Sequence, residues 1–330
     1  MKMTDRSTRA RGKLWGILLA GGDGRRLEGF VRRVLEQDWP KQYCAFIGRR
    51  SMLQHTLDRA RNLVPPERLL TVITAGHRDW ALGQLEGQPG ATLVIQPANR
   101  DTAPGLLLPV LRIHRDDPEA VVAVFPADHF ILEEARFLAH VLWAAEAAHQ
   151  DPSRMILLGV EPDGPAVGYG WIDPGESLLG EADWEIRAVA RFREKPDQAI
   201  AARLYAQGWL WNTLILVTSV QALIAQATRH LPEVMRVLLP LVPQLGGRRE
   251  RAGLEHAYAR LPAINLSTGL LERCPQALGV VPVRGVLWSD WGEPERIVRT
   301  VVQLGHRPAW LTRWYGLAGS PDLAGGAGPR

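Results

Sequence analysis

The stretch Leu14-Trp15-Gly16-Ile17-Leu18-Leu19-Ala20-Gly21-Gly22-Asp23-Gly24-Arg25-Arg26-Leu27, with Lys41 behind it, decides how the rest of this chain is read. Leu14, Trp15, Ile17, Leu18 and Leu19 form a short apolar run that stops at glycines. A run this short, ended so abruptly, predicts a buried parallel strand entering a tight loop. Three glycines in four residues let backbone N–H groups approach a ligand with no Cβ in the way. Such a loop can cradle phosphate oxygens, and Arg25 and Arg26 add fixed charge in planar forks that suit them. Two better-known glycine loops do not match. No Gly-Lys-Ser/Thr ending follows Gly24, and Leu27 stands where the dinucleotide fingerprint needs its third glycine. A plain strand-to-helix turn with solvated arginines is the competing reading, because glycine-rich turns are common punctuation.

Composition sets the outer limits. A chain of 330 residues accommodates one large α/β domain, or one with a small appendage. With 46% hydrophobic and 22% charged residues it has the balance of a globular protein. Net charge is +4 and the arginines are scattered, so acidic small molecules suit it and nucleic acid is not indicated. Cys44 and Cys274 lack pair spacing, which speaks against a disulfide framework or zinc site and suits a reducing cytoplasm. Both fit the role of small hydrophobes. The basic start from Lys2 to Lys13, followed by Leu14–Ala20, mimics a signal peptide. Glycines, an aspartate and two arginines follow at once, so residues 1–13 read as a disordered leader. No stretch approaches the length of a membrane span.

Along the chain, short apolar runs alternate with helical segments. Polar Glu28–Asp38 reads as a loop or short helix that delivers Pro40 and Lys41. Ser51 is a good N-cap for a helix carrying Met52, Leu53, Thr56, Leu57, Ala60 and Leu63 at helical spacing. Leu69–Ile73, Thr92–Ile95, Val121–Phe125 and Met155–Val160 read as strands, and Glu133–His149 as a helix. The alternation predicts βαβ units and a three-layer α/β fold around a mostly parallel, mixed sheet. Thr102 is expected to cap the next helix, with Pro104 in its first turn and Pro109 kinking or shortening it. From Asp183 to Arg193 the alternation predicts a half-exposed antiparallel strand. Asp197 and Ser219 read as helix caps, Leu231–Gly247 as broken helix and loop, and Arg248–Arg260 as a charged surface helix. Gly279–Val283 and Val286–Trp288 read as strands and Pro294–Leu304 as the final helix, which leaves 307–330 as a disordered tail. The domain is therefore expected to span 14–306.

Further residues weigh against the plain-turn reading. Trp39-Pro40-Lys41-Gln42-Tyr43, Gln96 to Pro104, Phe125-Pro126-Ala127-Asp128-His129 and Gly168-Tyr169-Gly170-Trp171-Ile172 follow the glycine loop in order. Phe192-Arg193-Glu194-Lys195-Pro196, Trp211-Asn212 and Trp288-Ser289-Asp290-Trp291-Gly292 complete the set. In this order the chain resembles the sugar-1-phosphate nucleotidylyltransferases, and among them the mannose-1-phosphate guanylyltransferases, from about Trp15 to the helix after Trp291. The resemblance implies a Rossmann-like nucleotide-diphospho-sugar transferase fold, with the sugar-binding part at about 155–292. It implies transfer of GMP from GTP to mannose-1-phosphate by metal-assisted in-line attack on the α-phosphorus, giving GDP-mannose and pyrophosphate. At 330 residues the chain is expected to lack the C-terminal isomerase that some members carry.

That chemistry needs two polyanions held in line, their repulsion neutralised, and no protein nucleophile. No hydrolase-like Ser-His-Asp pattern or well-placed Cys-His pair competes with it. By resemblance, Arg26, Lys41 and Lys195 are the catalytic cations. Ala20, Gly21, Gly22, Gly24, Arg25, Gln96, Asn99 and Thr102 bind the nucleotide, and Gln96 has the donor and acceptor needed to read a base edge. Gly168, Tyr169, Glu194 and Asn212 face the sugar. Asp128 lies just beyond a strand's carboxyl end, where open α/β sheets place ligands, and Asp290 follows another strand. By resemblance the two carboxylates hold one Mg²⁺. Taken alone, Asp128 would be a helix cap, Asp290 a turn residue and His129 a structural hydrogen-bonding group. Two departures from the family pattern stand out. Thr213, Leu214 and Ile215 follow Asn212 where Ser-Gly is usual, and Ser267-Thr268-Gly269-Leu270-Leu271-Glu272 replaces Asp-Tyr-Ala-Val-Met-Glu. They leave open another hexose-1-phosphate, or a nucleotide-sugar-binding regulatory protein with little turnover. The oligomeric state is also open, a homodimer included.

Overall fold

The computed structural model describes residues 14–88, 91–181 and 184–318. The leader read at 1–13 and the last part of the tail, 319–330, lie outside the described residues. The strands are β1 (Leu14–Leu19), β2 (Leu69–Thr74), β3 (Ala91–Gln96), β4 (Val121–Pro126), β5 (Phe130–Ile131), β6 (Met155–Val160), β7 (Gly170–Leu179), β8 (Ile186–Glu194), β9 (Leu210–Ser219), β10 (Leu278–Val283) and β11 (Trp288–Ser289). Nine of them form one sheet in the order β3-β2-β1-β4-β9-β6-β10-β8-β7, while β5 pairs with β11 beside it.

The glycine-ended run is strand β1, parallel to β2 and to β4, and β3 continues the parallel half. Antiparallel β9 is wedged between β4 and β6, and β6 runs parallel to β10. The fold is thus mixed α/β around a parallel core. β2, β4, β6 and β10 are buried at every position, which is why they read as unbroken apolar runs. Alternate residues feed two cores. Ile17, Val72, Val124 and Leu157 pack on the helices Thr102–Asp116 and Val220–His230. Leu18, Ile73, Phe125 and Leu158 pack on Met52–Arg61 and Glu134–Gln150.

A third, aromatic-rich cluster ties the two ends of the chain together. Phe30, Val31 and Val34 of the helix Glu28–Leu35 meet Phe46, Trp291, Ile297, Val301, Trp310 and Leu311. The expectation of a disordered tail from 307 is therefore corrected: Ala309–Ala318 is a helix. Trp310 donates its indole N–H to the Phe46 carbonyl at 2.9 Å and meets Phe30 edge-on at 5.8 Å. Burial of one large ring outweighs the unpromising composition beyond it. Trp310→Ala is expected to lower the unfolding free energy by about 3–5 kcal/mol in urea titrations, and a loss below about 1 kcal/mol would show that this helix is not part of the core.

Other expectations are refined. Asp101, not Thr102, caps the helix Thr102–Asp116, its Oδ1 accepting from the Thr102 N–H. That helix runs through Pro109 without ending, because every residue from 103 to 111 is buried between the sheet and its neighbours. The charged helix near 250 spans Glu250–Tyr258 and is only half a surface element, since Leu254, Ala257 and Tyr258 are buried. Cys44 and Cys274 are free and buried. No helix among the described residues is long and apolar enough to cross a membrane.

Candidate active site

One pocket of about 760 Å³ gathers almost every residue singled out above. Gly21, Gly22, Arg25, Arg26, Lys41, Gln96, Asn99 and Thr102 line one part of it. Gly168, Tyr169, Glu194, Lys195 and Asn212 line another, with Asp128 and Asp290 also on the wall. Ala20 and Gly24 do not line it; they shape the loop instead. The Ala20 carbonyl accepts from Gln42 Nε2 at 2.9 Å and from the Tyr43 hydroxyl at 3.2 Å, and Gln42 Nε2 also holds the Gly22 carbonyl at 2.8 Å. With carbonyls tied back, the Gly21, Gly22 and Asp23 N–H groups have no protein acceptor among the described residues. This suits anion binding by backbone donors.

Gly24 has φ +66°, and a Cβ there would stand 3.1 Å from the Lys41 nitrogen and 3.3 Å from Pro40 Cα. The glycine loop thus rests directly on the backbone that delivers Lys41. Gly24→Ala is expected to cost about 1–2 kcal/mol from the left-handed backbone alone, measured by urea unfolding; unchanged stability would mean that the loop relaxes freely. Asn99 joins the loop from the other side, donating Nδ2–H to Asp23 Oδ1 at 3.1 Å. Arg26 is exposed and engages no protein partner among the described residues, a cation free to meet a ligand.

Lys41 is the hub. It is 5% exposed. Its ammonium lies 2.9 Å from Asp128 Oδ2, donates to the Asp290 carbonyl, and reaches the Trp291 carbonyl at 3.3 Å. One amine therefore joins two stretches that lie far apart in the chain. Burial would raise the Asp128 carboxyl, but Lys41 holds it below the usual range, so it stays ionised. Asp290 Oδ1 accepts from the Tyr169 hydroxyl at 2.6 Å and the Gly292 N–H at 3.0 Å. Burial and the neighbouring Asp290 push the Tyr169 phenol up, which keeps it a donor. Tyr169 stacks on Trp211 at 4.3 Å, with the Arg296 guanidinium 5.2 Å from its ring centre. His129 accepts from the Trp288 indole at 3.3 Å, and burial lowers its pKa to about 4. Its ring nitrogen is thus engaged by Trp288, on the pocket wall beside Asp128.

In the second part of the pocket Glu194 and Lys195 form an ion pair of 3.3 Å, and Lys195 has φ +41°. Burial raises the Glu194 carboxyl, opposed by Lys195. Ser267 also lines this pocket, its N–H donating to Asn265 Oδ1 at 2.9 Å. Glu272, retained from the family pattern, accepts the Glu194 N–H at 2.6 Å. Asn212 Oδ1 accepts from the Leu214 N–H at 3.1 Å, and Leu214 has φ +59°. The turn after Asn212 thus takes a left-handed backbone without a glycine. A leucine there costs about 1–2 kcal/mol in local conformation and puts a branched side chain on the pocket wall.

Several lining residues were given no site role from the sequence, among them Asp23, Thr213, Asn265 and Trp288. Tyr258, behind Gln96, was given none either. Tyr258 and Asn265 come from a region that carried no recognisable motif. Asp23 could have been found, as the polar residue among the glycines.

Comparison with known proteins gives the family. The nucleotidyl transferase family matches residues 15–305. Xanthan biosynthesis protein XanB of Xanthomonas campestris pv. campestris is 32% identical over 288 residues, covering 84% of this chain and 57% of that protein. Mannose-1-phosphate guanylyltransferase of Escherichia coli K12 is 32% identical over 292 residues, covering 86% of this chain and 59% of that protein. The chain spans under three fifths of these curated relatives' length. A solved structure from Thermus thermophilus, described as a mannose-1-phosphate geranyltransferase, aligns with a TM-score of 0.74 at 29% identity. It covers 90% of this chain and 80% of its own. The chain belongs to the nucleotidyl transferase family.

Proposed function

We propose that the chain transfers GMP from GTP to mannose-1-phosphate, giving GDP-mannose and pyrophosphate. The observation that carries this reading is the convergence in one pocket of free loop N–H groups, Arg26, the Lys41–Asp128–Asp290 hub and the Glu194–Lys195 pair. The glycine loop and Arg26 would neutralise the triphosphate, Lys195 the sugar phosphate, and Glu194 and Asn212 would accept and donate to sugar hydroxyls. Such an arrangement works by positioning and charge compensation and needs no protein nucleophile. The relatives described as mannose-1-phosphate guanylyltransferases support the choice of sugar and base.

A Mg²⁺ ion fits the donor set at Asp128 and Asp290: both are oxygen donors, and Asp128 is held ionised. No group of three or more His, Cys, Asp or Glu side chains suited to a metal occurs among the described residues, so phosphate and water would complete its shell. When bound, the ion would supply charge neutralisation at the phosphates. A second reading is favoured by Leu214 and Ser267 on the pocket wall, which stand where the family pattern has a glycine and an aspartate; under it the acceptor is another hexose-1-phosphate.

Pyrophosphate release measured over a matrix of nucleoside triphosphates and sugar-1-phosphates separates these readings. The highest kcat/KM is expected with GTP and mannose-1-phosphate. Absence of turnover with that pair rejects the substrate assignment, and a maximum with GTP and a different sugar selects the second reading. Tight GDP-sugar binding with no turnover for any pair would point to a regulatory protein instead.

A further inference from the structure

We infer that Tyr258 is a positioning residue that fixes the amide of Gln96, so that the base end of the pocket selects nucleotides with a ring keto group beside a ring N–H. The inference rests on the reading of the pocket as a nucleoside triphosphate site. Gln96 is 4% exposed and Tyr258 1% exposed, and the Tyr258 hydroxyl donates to Gln96 Oε1 at 3.2 Å. Burial pushes the phenol up, so its proton stays on. The amide sits in a slot between two glycines. A Cβ at Gly21 would stand 3.1 Å from Nε2, and one at Gly105 would stand 3.5 Å from both Nε2 and Oε1. The Tyr258 carbonyl in turn accepts from Arg100 Nε at 3.0 Å, which ties the end of Glu250–Tyr258 to the loop that follows Gln96.

A phenol donates better than it accepts, because its oxygen lone pair is shared with the ring. Donation to Oε1 therefore sets which end of the amide is which. Oε1 keeps one lone pair and Nε2 keeps its N–H groups for a ligand. That pattern complements O6 and N1–H of guanine or hypoxanthine, and equally O4 and N3–H of uracil or thymine. Adenine and cytosine present the reverse pattern. Accepting them requires the amide to turn over, which leaves the phenol hydrogen buried without an acceptor.

Equilibrium binding of GTP, ITP and ATP to the full chain, by calorimetry without sugar phosphate, tests this. The wild type is expected to bind GTP and ITP alike and ATP about tenfold more weakly or worse. Tyr258→Phe keeps the ring and its packing, and is expected to narrow the gap between GTP and ATP by about tenfold. Gln96→Glu offers two acceptors and no donor; it suits N1–H and the 2-amino group of guanine, and is expected to weaken ITP relative to GTP by about tenfold. An unchanged GTP-to-ATP ratio in a folded Tyr258→Phe protein overturns the role of Tyr258, as does a wild type that binds ATP and GTP equally. A wild type with no affinity for any triphosphate defeats the nucleotide reading itself, which is a different result.

Discussion

Lys41→Met is expected to reduce turnover in the pyrophosphate-release assay about a thousand-fold or more. The substitution keeps an unbranched side chain of similar volume and deletes only the charge. In the wild type that charge compensates Asp128 at 2.9 Å and gathers the carbonyls of Asp290 and Trp291. Removing one member of such a group leaves the others polar and unpaired in a largely closed site. Trp291 holds φ +46°, a conformation an aromatic residue rarely takes, and it keeps that conformation with help from its N–H bond to Ser289 Oγ at 3.2 Å and from Lys41. Without the ammonium the Asp290 loop is expected to relax, so that Asp128 and Asp290 no longer share one approach to a ligand. Both kcat and thermal stability should fall. A Lys41→Met protein with kcat within about tenfold of wild type would show that the hub is structural only. Lys41→Arg should not rescue, because a planar fork cannot fill a closed site shaped for a point charge.

The fold was legible where burial and period agreed. β1, β2, β4 and β6 are apolar runs bounded by turn residues, and each emerged within a residue or two of its observed limits. β7 and β9 did not. β7 carries Pro174 and Gly175, which break a strand pattern, and its pairing with β8 shifts register at Pro174. β9 sits between β4 and β6, which lie far from it in sequence, so its place has no local signature. The helix Ala309–Ala318 was hidden because its partner is the helix Glu28–Leu35 at the other end of the chain. The same split holds in the site. Residues that carry charge stood in motifs, and nearly all of them line one pocket. What stayed hidden was the contact set: Lys41 spanning Asp128 and Asp290, Tyr258 behind Gln96, Glu272 holding the Glu194 N–H. Spacing along the chain reports which side chains are available, whereas distances across it depend on where β9 and the third cluster close.

Asp128→Asn and Asp290→Asn should each lower kcat about a hundredfold or more, for separable reasons. Asn at 128 keeps the shape but loses the charge that faces Lys41. The ammonium would then rest on the carbonyls of Asp290 and Trp291 alone. Asn at 290 can still accept from the Tyr169 hydroxyl and the Gly292 N–H through its oxygen, so the loop should hold its form. Unequal effects on stability are therefore expected, with Asp128→Asn the more disturbed in thermal unfolding. If both carboxylates hold one divalent ion, each variant should also require more Mg²⁺ for half-maximal rate. The double variant should then be little worse than the weaker single one, because groups that act as a unit are not additive. Additive losses with an unchanged Mg²⁺ requirement would separate the two aspartates, and near-normal rates in both singles would remove the metal assignment. Either result would leave Lys41 as the only charge-neutralising group in the hub, and the proposed transfer would then have to draw its remaining charge compensation from the loop N–H groups, Arg26 and Lys195.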